Sequence, residues 1–120
     1  MSDYTLIPNI DELITELPAD SIVSRTIMRV DGGRVVLFGF APGQELSEHT
    51  ASKPAILHIL RGEAKLTLGD DAIDGGLGTL IHMPAHLPHS VYAVDEVLML
   101  LYLLAPTEEI DVKLAEKTGA

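Results

Sequence analysis

Residues 22–40 read IVSRTIMRVDGGRVVLFGF: two runs rich in apolar and β-branched residues on either side of Asp31-Gly32-Gly33. That insert is a strong hairpin signal, because glycine takes positive φ at little cost and a tight turn between twisted strands requires it. The pattern predicts strands over residues 22–30 and 34–40. It also sets an antiparallel β class for what surrounds them.

The same punctuation continues in both directions. Pro42-Gly43 turns the chain ahead of a strand over 45–50, Lys53-Pro54 opens one over 55–60, and Arg61-Gly62 turns into an alternating run over 63–68. Gly69-Asp70-Asp71 and Gly75-Gly76-Leu77-Gly78 mark further turns, and strands over 79–83, 89–93 and 97–104 complete the set. The last of these, VLMLLYLL, is apolar at odd and even positions alike, as a central strand covered on both faces should be. Upstream, Asn9 is set to cap a short helix over 9–17, with Glu12 three residues on and Leu13, Ile14 and Leu17 as its apolar face. Downstream, Thr107 would cap a second helix over 107–117, with Glu108 and Glu109 at its positive end. Short strands divided by glycine-rich turns favour a sandwich or barrel.

Composition narrows the functional classes. With 120 residues and 47% hydrophobic content the chain reads as one domain able to bury a core, residues 22–104 forming most of it. A net charge of −10, with 8 basic residues and no basic stripe, argues against nucleic acid and anionic membranes as partners. No apolar run is long enough for a membrane helix, and the acidic start MSDYTLIPNIDEL has no signal core, so a cytoplasmic protein is expected. The absence of cysteine removes disulfides, thiolate metal sites and thiol nucleophiles. No serine sits in a G-x-S-x-G elbow, and the glycine cluster at 75–78 lacks the lysine of a phosphate loop.

The five histidines carry the remaining chemistry. His49, in GQELSEHTA, and His89, in MPAHLPHSV, fall near the ends of short strands that hairpin folding could bring together. Two imidazoles begin a metal site without completing one. Regular alternation would turn Ser47 and Glu45 to the same face as His49, Glu48 to the other, and His58 away from the face of Ala55.

The two histidine segments resemble the motifs of the cupin superfamily, over roughly residues 35–104. The family's first motif, a glycine followed by His-x-His, a glutamate and a second glycine, is matched by Gly43, Ser47-Glu48-His49, Ala55 and Gly62. The second motif, glycine, Pro-x-Gly and histidine, is matched by Gly78, Pro84-Ala85-His86 and His89. The resemblance implies a double-stranded β-helix, that is, a jelly-roll barrel with the short terminal helices appended. Of the family's four metal positions only His49 and His89 keep their ligand types, since Ser47 and Ala55 replace a histidine and the glutamate. A divalent ion such as zinc, iron, nickel or manganese would be held by those two, with Ser47 and Ala55 lining the same cavity. His86, at a turn position the family gives to glycine, is the nearest recruit for a third ligand. His58 and His82 would sit on adjacent strands as an outer pair, either as packed interface or core histidines or as a second metal or proton-sensitive site between subunits.

Three functional readings follow: a metal-binding protein acting on a small organic substrate, a metal-free module holding a small ligand, and a structural homodimer with a filled barrel. A two-fold homodimer is expected in any case. A strand such as VLMLLYLL needs cover on both faces, and one barrel covers one.

Overall fold

The computed structural model describes residues 3–104. The predicted C-terminal helix over 107–117 lies outside them. Among the described residues, nine strands follow one turn of 3-10 helix: β1 (Ile22–Val30), β2 (Gly33–Phe40), β3 (Glu45–His49), β4 (Ala55–Arg61), β5 (Ala64–Leu68), β6 (Asp71–Gly75), β7 (Leu80–Met83), β8 (His89–Ala93) and β9 (Val97–Leu104). All pairings are antiparallel.

They form two sheets, one in the order β1-β2-β9-β4-β7 and the other β3-β8-β5-β6. Neither closes on itself. The expected barrel is therefore a jelly-roll sandwich of two open sheets, joined by side-chain packing and crossing turns. Three of its four edge strands are short, β7 with four residues and β3 and β6 with five each, while the fourth, β1, has nine. Short edges also limit the unpaired backbone that such a sheet presents. β6, which the turn reading passed over, is such an edge, with Gly75 opposite Ala64 and Asp71 opposite Leu68. Its DAIDG sequence has little strand character of its own, and its pairing with β5 supplies the rest.

The core fills the space between the sheets. Leu57 and Ile59 of β4, Leu66 of β5, Val91 of β8 and Met99 of β9 are each 1% exposed or less. VLMLLYLL is central as expected, hydrogen-bonded to β2 on one side and β4 on the other. Its second face is covered from within the chain. Leu98 and Leu100 pack with Leu37 and with Ile14 from the N-terminal segment. That segment comes so close over Gly39 that a Cβ there would lie 3.2 Å from Ile14 Cγ2 and 3.3 Å from Leu17 Cδ1. Part of the surplus apolar surface that motivated a dimer is thus met intramolecularly. Val23, Ile27, Val35, Leu60 and Tyr102 remain half-buried around it.

The predicted N-terminal helix is a single 3-10 turn, Ile10–Leu13. Asn9 does cap it, its Oδ1 accepting from the Asp11 amide at 3.1 Å. The segment then turns extended at Ile14. The extended path sets Ile14 and Leu17 over Gly39, and that burial favours it over a short helix that would be marginal by itself.

Candidate functional site

The site lies where the two sheets meet at one end of the sandwich. β3 and β8 bring His49 directly opposite His89. The pairing is not regular. Glu45 opposes Tyr92 and Leu46 opposes Val91, but the register shifts between Leu46 and His49. Such a bulge puts two residues of one strand against one of its partner and reverses the face sequence beyond it. Leu46 and His49 therefore share the inner side although they are three positions apart, and Leu46 packs on the core. The alternation expected from sequence fails here. Glu45 and Ser47 are exposed and Ser47 is not among the cavity-lining residues, whereas Ala55 is.

The two rings lie 4.2 Å apart, centroid to centroid, tilted by 59°. Each is oriented by its own backbone. His49 Nδ1 is 2.7 Å from the Ser47 carbonyl oxygen and His89 Nδ1 is 2.8 Å from that of Leu87. A carbonyl can only accept, so both Nδ1 atoms carry the proton and donate it. In the neutral rings the lone pair is then on Nε2 in both. This tautomer, fixed by a carbonyl on the opposite nitrogen, frees Nε2 to ligate a metal or accept a hydrogen bond. Ser47 thus serves through its main chain.

Between the sheets the pair borders a cavity of about 150 Å³. Its other walls include Ala55, Met83, Leu101 and Leu103, with Lys53 at the rim. A volume of this order accommodates a benzene-sized molecule. His89 is 8% exposed, while His49 is open to solvent, so the pair is half sheltered.

The other histidines stand apart. His86 is exposed at φ 69°, and its amide donates to the Ala51 carbonyl at 2.7 Å. It is a turn residue, as its enrichment at positive φ allows, and it does not line the cavity. His58 and His82 belong to adjacent strands and share the outer face, as expected. They are diagonal neighbours, His58 opposite Leu80 and His82 opposite Ile56. Among the described residues no group of three His, Asp or Glu side chains is arranged to hold a metal ion. Sequence reasoning missed Lys53, read there only as the opening of a strand. Lys53 lies in the bend ahead of β4, where strand alternation gives no signal.

A cupin-domain family model matches residues 36–104. The chain belongs to the cupin family. The cupin superfamily protein of Desulfitobacterium hafniense is similar in structure, with a TM-score of 0.72 and 28% identity over 78% of this chain and 86% of that one. A conserved Streptococcus pyogenes protein of unknown function shows 33% identity, a TM-score of 0.66 and coverage of 72% and 76%. An uncharacterised protein of Streptomyces coelicolor is 23% identical over 99 residues, 82% of this chain and 94% of its own length. No helix among the described residues is long and apolar enough to cross a membrane.

Proposed function

We propose that this cupin binds a divalent metal ion between His49 and His89 and completes the ion's coordination with oxygen atoms of a small ligand. The observation that carries the reading is the matched pair of Nδ1–carbonyl hydrogen bonds, which leaves two Nε2 lone pairs on rings 4.2 Å apart. The donor set fits a metal in part. Catalytic zinc sites use three protein ligands, and here Ala55 contributes no donor. Water or a ligand carboxylate must therefore supply what the chain does not. An ion bound there would act as a Lewis acid toward a carbonyl or carboxylate oxygen. The chain's own contribution is to hold the two imidazoles in one tautomer, to keep the inner walls apolar, and to leave the space beside Ala55 open for the ligand.

A second reading has its own support. With only two donors and an otherwise apolar lining, the cavity also suits a metal-free ligand that donates hydrogen bonds to the two Nε2 atoms. Elemental analysis of untagged, unchelated protein separates them. Metal is expected in the native chain and lost in the His49→Ala and His89→Ala variants. Metal content unchanged in the double variant would end the metal reading.

A further inference from the structure

The chain carries a net charge of −10, yet three of its few cations line one groove. Arg29, Arg34 and Lys53 border a space of about 570 Å³ that, among the described residues, no carboxylate lines. The groove is continuous with the histidine cavity, since Ala51, Lys53 and Leu103 belong to both. Register explains the continuity. Arg29 lies opposite Arg34, Arg34 opposite Leu103, Leu103 opposite Ala55, and Ala55 opposite Met83. This is one cross-strand row running the full width of the five-stranded sheet. Directly opposed residues share a face, so both arginines point to the same side as the cavity walls.

Two arginines directly opposed in a hairpin repel each other and destabilise the pairing. Among the described residues, the ion pairs are Arg61–Glu96 and Lys65–Asp74, and neither involves this trio. Arg34 does donate to Thr26 Oγ1 at 3.0 Å, which orients its guanidinium without neutralising it. A like-charged row in an acidic chain, opening onto a half-sheltered pocket, has the form of an anion subsite.

Building on the reading of the histidine pair as a small-ligand site, we infer that the Arg29–Arg34–Lys53 groove binds the anionic end, carboxylate or phosphate, of the ligand whose other end enters the His49–His89 cavity. Strands are spaced by about 4.8 Å, so Arg34 stands about 10 Å from Ala55 across two strand intervals. The ligand is therefore an elongated small acid with oxygen functions at both ends, such as a dicarboxylate or a phosphorylated acid.

The test titrates the full chain at low salt with inorganic phosphate, with adipate, and with hexanoate as the one-ended control. Arg29→Gln and Arg34→Gln should each weaken phosphate and adipate binding about tenfold, the scale of one charge-assisted hydrogen bond. Lys65→Gln, the same charge change on the outer side of the other sheet, should leave both unaltered. Arg29→Gln should also raise the melting temperature of the ligand-free chain by relieving the opposed pair, which shows that lost binding is not lost folding. Adipate should bind more tightly than hexanoate. Equal weakening by Lys65→Gln, or no weakening by either arginine variant, overturns the inference. So does a tenfold gain in phosphate affinity on neutralising Glu108, Glu109 and Asp111 to their amides, because the groove would then serve the chain's own acidic segment. Metal content and phosphate affinity are read separately. Unaltered phosphate affinity in the arginine variants leaves the histidine pair standing, and unaltered metal content in the histidine variants leaves the groove standing.

Discussion

Replacing Gly62 by alanine should destabilise the chain far more than the same change at Gly43, although both glycines have nearly the same backbone torsion. Gly62 has φ 88° and Gly43 has φ 83°. The left-handed conformation costs an L-residue about 1–2 kcal/mol, and Gly43→Ala should show that cost alone, since nothing lies within 4 Å of a Cβ built there. At Gly62 the same Cβ would collide with the Glu96 carbonyl oxygen and lie 2.8 Å from Asp95 Oδ1. Relief requires moving the β8–β9 turn, and with it the Asp95 carboxylate that accepts the Glu63 amide at 2.7 Å. A hydrogen bond to a charged group is worth about 1.5–3 kcal/mol, reduced here because the pair is exposed. The total for Gly62→Ala is then about 3–4 kcal/mol. For a domain of this size about 4 °C of melting temperature is lost per kcal/mol, giving about 12–16 °C for Gly62→Ala and about 4–8 °C for Gly43→Ala. Circular dichroism melts, with urea midpoints compared at constant slope, measure both. Asparagine sharpens the comparison. It tolerates positive φ, so Gly43→Asn should approach the native chain while Gly62→Asn stays damaged. Equal losses at the two positions would refute the argument from close approach.

Ala55→Glu should raise zinc affinity at least tenfold by calorimetry while destabilising the metal-free chain, because the position is 4% exposed and lines the same cavity as both histidines. No gain in affinity would mean that the cavity cannot gather three donors. His86→Gly should stabilise the fold by up to about 1 kcal/mol, since the turn has φ 69°, and should leave metal content unchanged; metal loss would restore His86 as a ligand. Light scattering at micromolar concentration should give twice the 12.9 kDa chain mass, the half-buried outer surface around Tyr102 being the contact, and a monomer would count against the dimer.

Much of the fold was written locally. β1 ends at its glycine turn, and β8 and β9 fill the apolar runs read for them, because turn torsions and face alternation are properties of neighbouring residues. The motif spacing around Gly43, Gly62, Gly78 and His89 likewise implied a cupin, and the family match over residues 36–104 agrees. His49 and His89 were named from sequence and stand opposite each other. Three things needed tertiary structure. The bulge after Leu46 depends on how β3 must twist to pair with β8, so the exclusion of Ser47 from the cavity could not be read from alternation. The cover over Leu98 and Leu100 comes from Ile14, more than eighty residues earlier in the sequence, and local helix signals could not foresee that this segment would lie flat on Gly39. The row from Arg29 to Met83 joins five strands whose neighbours in space are mostly not neighbours in sequence, and only strand order sets that alignment. The sequence determined which residues could turn, pair and bind, since those capacities are local; the tertiary structure decided which of them meet, since that depends on register between distant strands.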